Sequence, residues 1–330
     1  MLEQQRTKEC FISRRNFLSS LAGASAAVGL GPLVDQARGE DKSSSNNPKM
    51  KIFLFSKHLQ WLEYPEMAQT AKGLGLDGLD LTVRPGGHVV PERVKDDLPR
   101  AVEAMKKADL EISMMTTDIR DPSDKYTRDI LETASKLGFR YYRMGPLYYD
   151  RNNSIPEQLN ELKPKFRELA AMNKQYNIQG AYQNHAGSRN VGAAVWDIWE
   201  LVKELDPRWM GCQFDIRHAT VEGGTAWPIH FRLLTPYITT IIAKDFLWLK
   251  TEKGWKCQNC PLGVGMVDFP AYFKLVKQAG VTGPLSLHFE YELGGANKGA
   301  RSLSIPAEKV LKAMQRDLSV LKNWLAAAGL

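Results

Sequence analysis

From Met50 onward the chain alternates eight short, β-rich runs with helical stretches, and this alternation restricts the fold more than any other feature. The runs are Lys51–Ser56, Gly78–Val83, Glu111–Thr116, Arg140–Met144, Gln179–Gln183, Gly211–Asp215, Thr239–Lys244 and Leu285–Glu290. Each is short and mostly apolar, as a strand covered on both faces must be. Residues 157–176, 196–205, 269–279 and 306–328 read as helices, the first with Lys, Arg and Glu along one face. Gly73, Gly138 and Gly280 stand where helices are expected to end. Eight βα units in about 280 residues predict an α/β fold of the (β/α)8 TIM-barrel kind. An open doubly wound sheet usually carries a Gly-rich phosphate loop after its first strand. Here Lys57-His-Leu-Gln-Trp61 follows instead, and the chain has no Walker motif or G-x-S-x-G elbow.

The N-terminus reads as an address. Ser13-Arg14-Arg15-Asn16-Phe17-Leu18 precedes a small-residue apolar stretch that runs to about Val34. A charged segment followed by a short apolar one is the layout of an export signal, and the Arg14-Arg15 pair resembles the twin-arginine type. The expected division is a signal peptide over residues 1–37, a polar linker over 38–49 and one barrel domain over 50–330. That implies a periplasmic location. Asp35 spoils the small-residue pattern before Ala37, so an uncleaved anchor stays open. The stretch is too short and too rich in Gly, Ala and Ser to read as an ordinary membrane span.

Of the 330 residues, 44 are basic and 37 acidic, a net charge of +7. The charges are mixed along the chain. Nucleic-acid binding calls for a clustered basic stripe, and none is present, so a nucleic-acid partner is not expected. Four cysteines are too few for a disulfide scaffold. Cys257 and Cys260 form a C-x-x-C without a second such pair, which leaves a loop disulfide or two free thiols as the expectation.

In a TIM barrel, polar residues at the C-terminal ends of strands face the active site. Those positions hold Lys57 and His58, then Arg84 and His88, then Gln183-Asn184-His185. Further on they hold Asp215 with His218, Lys244-Asp245, and His288-Phe289-Glu290. Five of the six histidines therefore fall on one rim, which marks it as a candidate site. Trp61, Trp227, Trp248 and Trp255 follow strands one, six and seven. Such rings either stack on sugars or cover loop bases.

These motifs resemble the sugar phosphate isomerase/epimerase family, of xylose isomerase-like fold. Gln183-Asn184-His185 is similar to its strand-five E-N-H, and Asp215 with His218 to its strand-six D-x-x-H. Lys244-Asp245 resembles the end of its H-x-K-D, Pro261-Leu-Gly-Val-Gly265 its P-x-G-x-G loop, and Glu290 its last glutamate. The resemblance spans roughly Met50 to the C-terminus. It implies a divalent cation (Mn, Mg, Co or Zn) held by Asp215, Glu290 and Gln183. That cation would polarise a sugar carbonyl while a carboxylate moves a proton. Two positions depart from the family: Gln183 replaces a glutamate, and Ile242 replaces a histidine ligand.

The resulting expectation is an isomerase/epimerase-like enzyme acting on a free sugar, keto-sugar or glycoside derivative. Lyase or hydratase chemistry on a keto-sugar begins with the same proton abstraction. Glu290, Lys244 and His185 are the catalytic candidates, and His218, His88, Arg84, Trp248 and His288 the substrate-binding ones. Lys244 is expected either to face inward in place of missing positive charge, or to be solvent-facing or paired with an aspartate. The alternative function is a sugar-binding barrel without catalysis. A homo-oligomer is compatible with the sequence.

Overall fold

A computed structural model describes residues 49–330. The expected signal peptide, its twin-arginine motif and all but the last residue of the linker lie outside the described residues. Barrel strands are β1 (Ile52–Phe55), β2 (Gly78–Val83), β3 (Met114–Thr117), β4 (Tyr141–Arg143), β5 (Gln179–Gln183), β6 (Met210–Asp215) and β7 (Ile238–Ala243). An antiparallel hairpin, β8 (Asp245–Thr251) and β9 (Gly254–Cys260), follows before the last barrel strand, β10 (Leu285–Leu287). The barrel closes through parallel neighbours in the order β1-β10-β7-β6-β5-β4-β3-β2. All eight strands expected from the apolar runs are present, each within a few residues of its expected bounds.

The surrounding helices are α1 (Tyr64–Leu74), α2 (Val94–Lys107), α3 (Thr127–Leu137), α4 (Ile155–Tyr176), α5 (Val195–Val202), α6 (Ile216–Gly223), α7 (Trp227–Leu234), α8 (Phe269–Gln278) and α9 (Ala307–Ala328). Their apolar faces pack on the barrel through one continuous core that includes Leu98, Leu131, Phe166, Phe231, Phe273 and Leu321. Among the described residues no helix is long and apolar enough to cross a membrane. Gly73 does not end α1 as expected. The stop comes two residues later at Gly75, whose φ of 82° is the left-handed cap conformation that glycine adopts without a Cβ penalty.

The hairpin is a second correction. The C-x-x-C lies in strand β9, not in a loop, and both thiols are free. Three residues apart on one strand, Cys257 and Cys260 point to opposite faces and cannot bridge. Cys260 is buried, and that burial pushes its thiol up to about 12.

Just after β7, Asp245 fastens the hairpin and the following loop to the barrel rim. Its carboxylate accepts hydrogen bonds from the backbone N–H groups of Phe246 (2.8 Å), Gly263 (3.0 Å), Gly265 (3.0 Å) and Val267 (3.2 Å). A Cβ on Gly265 would collide with the Asp245 carboxylate and the Phe246 carbonyl, so the glycine is sterically required. The P-x-G-x-G segment is therefore a clamp around Asp245. Asp245→Ala should lower unfolding stability by roughly 3 kcal/mol, since each lost bond contributes about 1 kcal/mol and buried donors lose their partner. Denaturant titration checks this, and an unchanged midpoint would exclude the clamp.

Candidate active site

The C-terminal strand ends open into a cavity of 240 Å3, walled by Phe55, Lys57, Arg84, Arg143, Gln183, His185, Lys244 and Glu290, with Tyr148 and Asn190 among its other lining residues. This lies below the about 300 Å3 typical of drug-sized ligand sites, so it suits one small molecule. Lys57, Lys244 and Glu290 reach it from just beyond β1, β7 and β10, while Arg143 and Gln183 are the last residues of β4 and β5.

At the floor, the Lys244 ammonium sits among three partners. Its Nζ lies 3.0 Å from Asp215 Oδ2, 3.1 Å from Glu290 Oε2 and 2.9 Å from His218 Nε2. Asp215 is fully buried, and its Oδ1 accepts the backbone N–H of His218 at 3.1 Å, capping α6. Glu290 receives a second ammonium, with Lys57 Nζ 2.9 Å from Oε1. Burial alone would raise the Glu290 carboxyl, but Lys244 and Lys57 overcome it and hold the group well below the usual carboxylate range.

Gln183 completes the floor. Its Nε2 donates to Asp215 Oδ2 at 2.7 Å, and its Oε1 accepts from Arg143 Nη1 at 2.7 Å. A guanidinium only donates and a carboxylate only accepts, so the network fixes which way this amide faces.

This arrangement does not fit a divalent cation. Both carboxylates implied as ligands are bound to the Lys244 ammonium, and Gln183 turns its NH2, not its oxygen, toward Asp215. Ile242 pairs in register with Asp215, with a buried side chain that cannot ligate. Among the described residues no group of three or more His, Cys, Asp or Glu side chains is placed to hold a metal. The expected trio of Asp215, Glu290 and Gln183 does converge, but around a lysine.

The histidines divide by depth. His185 lines the cavity and lies over the His218 ring, with centroids 3.9 Å apart. His218 is buried behind Lys244, not on the wall, with Arg217 Nη1 2.9 Å from its Nδ1. Burial first, then the Lys244 charge, keeps His218 neutral far below its ordinary value. A neutral imidazole has one lone pair, so only one of the flanking cations can donate to it at a time.

His288 also lies beneath the site. It stacks on Phe55 at 4.4 Å, and its Nε2 is 3.1 Å from Ser286 Oγ, whose proton goes to Asp80 Oδ2 at 2.6 Å. Nε2 therefore carries the His288 proton. That leaves Nδ1 as an unpartnered lone pair 3.7 Å from Glu290 Oε1.

His58 and His88 belong to the scaffold. His58 is placed between the Ala296 carbonyl and the Phe289 N–H, at 3.1 and 3.0 Å. His88 packs against Ser56, Thr82 and the Leu59 carbonyl, which corrects its expected role in substrate binding. Trp248 is corrected too: it stands on the hairpin against Phe246 and does not line the cavity. Trp227 is core, packed on Tyr272.

Arg84 lines the cavity as expected. Arg143 and Lys57 went unassigned, although both were visible. Arg143 is a charged last residue on a barrel strand, and Lys57 stands two residues past the end of the first strand.

The xylose isomerase-like TIM barrel family model matches residues 68–316, and the chain belongs to that family. A protein of Methanocaldococcus jannaschii, MJ1311, is 23% identical over 209 residues, covering 62% of this chain. The match spans 66% of that relative's length. Among solved structures, a D-tagatose 3-epimerase-like protein superposes with a TM-score of 0.62 at 18% identity, covering 85% of this chain and 98% of that one. The 3-keto-D-glucoside 4-epimerase YcjR of E. coli gives 0.61 at 13% identity, with 82% and 100% covered. The D-psicose 3-epimerase of Clostridium cellulolyticum H10 gives 0.62 at 12% identity, with 84% and 99% covered. At these identities the structural likeness establishes the fold.

Proposed function

We propose that this protein is an isomerase/epimerase-like enzyme that removes a proton beside the carbonyl of a monosaccharide derivative, with the Lys244 ammonium as the group that polarises the carbonyl. The observation that carries this reading is the seat of Lys244 Nζ between Asp215 and Glu290, where the family resemblance puts a divalent cation. An ammonium fixed at the floor of a small cavity stabilises negative charge developing on a carbonyl oxygen without reorganising, as an oxyanion hole does. The sugar-epimerase neighbours support the same chemistry on this scaffold.

Glu290 is the proton acceptor in this reading. Unliganded, its two oxygens are engaged by Lys57 and Lys244, which makes it a weak base. A substrate carbonyl oxygen seated between the two ammoniums takes over part of that hydrogen bonding and raises the basicity of Glu290 when the C–H proton must leave. The lone pair on His288 Nδ1 lies beside the carboxylate to receive a hydrogen bond once Glu290 is protonated. His185 stands on the cavity wall near Lys244 as a second group able to exchange a proton with substrate.

Exchange of substrate C–H for deuterium in D2O, followed by NMR over a panel of keto-sugars and keto-glycosides, detects this step whatever product forms. Glu290→Gln should lower the exchange rate by about 100-fold or more while the fold persists, within the range of general acid–base catalysis. A wild-type protein that binds keto-sugars but exchanges none of their protons would be a binding barrel, and the enzymatic reading would fall.

A further inference from the structure

The cavity carries more positive charge than its own carboxylates neutralise. Lys57, Arg84, Arg143 and Lys244 line it, and Glu290 is the one carboxylate among the lining residues. Asp215, behind Lys244, is the other acid in direct contact with these cations. The two lysines are satisfied by these acids, and the two arginines are not. Arg143 donates to the neutral Gln183 oxygen and, among the described residues, makes no ion pair with a carboxylate. The Arg84 guanidinium makes no hydrogen bond or ion pair among the described residues; its backbone alone is tied, its N–H donating to the Val89 carbonyl and its carbonyl accepting from the Gly87 N–H.

Both guanidiniums flank one ring. The Arg84 and Arg143 Cζ atoms lie 5.3 and 5.1 Å from the Phe55 centroid. Asp80 is the strongest attractive charge on both arginines, but its oxygens are held by the Thr116 and Ser286 hydroxyls and it makes no ion pair with either; Asp118 pairs with Arg120. Burial, together with the like charge of Arg84, draws the Arg143 guanidinium down to about 10 despite the attraction of Asp80. Two like charges side by side in a confined space are unfavourable without a counter-charge. The planar forks of arginine match carboxylate and phosphate oxygens two at a time.

We infer that the substrate is itself an anion, a monosaccharide bearing a carboxylate or phosphate that docks on Arg84 and Arg143 while its carbonyl lies at Lys244 and Glu290. This rests on the proposed reaction for the location of the carbonyl, and on the unpaired arginines alone for the anion. The step between the two ends is short, because Arg143, Gln183, Asp215 and Lys244 form one unbroken chain of contacts of 2.7 to 3.0 Å. One sugar-sized molecule can therefore touch both.

Titration calorimetry on the full chain tests this with matched pairs: D-galacturonate against D-galactose, and D-fructose 6-phosphate against D-fructose. Inorganic phosphate is the third arm. The charged member of at least one pair should bind about tenfold or more tighter than its neutral partner, a difference of about 1.4 kcal/mol. The preference should shrink as salt rises. Galacturonate in the lead identifies a carboxylate, and fructose 6-phosphate or free phosphate in the lead identifies a phosphate. Arg84→Gln should erase most of the preference, and Arg84→Lys, which keeps the charge but not the fork, should erase part of it, with unchanged circular dichroism in both. Equal binding within both pairs, absence of binding by all five probes included, overturns the anion subsite. Neutral keto-sugars that bind and exchange protons while charged ones do not overturn the subsite and leave the proposed reaction standing. Charged probes that bind through Arg84, in a protein that exchanges no substrate proton, overturn the reaction and leave the subsite.

Discussion

Lys244→Met is expected to abolish proton exchange and to destabilise the fold, while exhaustive chelation of the wild type leaves exchange intact. The ammonium is almost fully buried and bonds two carboxylates and an imidazole. Removing one partner from a buried ionic cluster leaves uncompensated charge, which costs about 3–5 kcal/mol. Here the orphan is Asp215, while Glu290 keeps Lys57 as its partner. Loss of the polarising group should lower the rate about 100- to 1,000-fold, the scale of deleting one oxyanion-hole donor. Denaturant titration reads the first effect and deuterium exchange the second. Adding Asp215→Asn to Lys244→Met removes the orphan charge, so it should restore part of the stability and none of the activity. A wild type silenced by chelation and revived by Mn, Mg, Co or Zn, together with an indifferent Lys244→Met, would reject the lysine and return the site to the family's metal chemistry.

Unfolding stability should also fall steeply as pH drops from 6.5 toward 4. His58, His88, His218 and His288 are buried, and all are held below the ordinary histidine value, His88 to about 4 and His288 to about 3. Burial is the first cause in each case. The sign follows from proton counts. Below pH 6.5 the unfolded chain protonates these rings while the native state does not, so protons favour unfolding. Each ring contributes about 1.4 kcal/mol per pH unit within that window and almost nothing above it. Four rings together remove on the order of 5 kcal/mol between pH 7.5 and 5.5, comparable with the whole stability of many domains. Glu290 acts in the same direction below its unfolded value, because its native carboxyl is depressed. Chemical denaturation at several pH values measures the slope. A flat profile from pH 7.5 to 5.5 would show that these histidines are protonated in the folded state.

The strand count, the strand order and the convergence of Asp215 and Glu290 on one rim were legible in the sequence. Short runs apolar on both faces admit few arrangements, and in a barrel the C-terminal strand ends share one rim whatever the loops do. The two-residue period of a strand put Lys244 on the same face as Ile242, and left open whether that face turns inward. The hairpin of β8 and β9 was not legible, because its residues lack the apolar alternation of a buried strand: Trp248 and Trp255 are among its exposed positions.

What only the tertiary structure decided is depth and partnership. Five histidines at strand ends look alike in one dimension, yet only His185 reaches the cavity wall. His58 and His88 satisfy backbone and hydroxyl groups, and His218 and His288 lie one layer lower. Depth along a barrel axis follows from the stagger between neighbouring strands, which the residue pattern of one strand does not contain. The same holds for charge. Sequence named Arg84 but not Arg143, and did not show that neither arginine has an acid partner, because whether an ion is paired is a matter of a few ångströms between strands far apart in the chain. That distance separates a site built around a metal from one built around an ammonium.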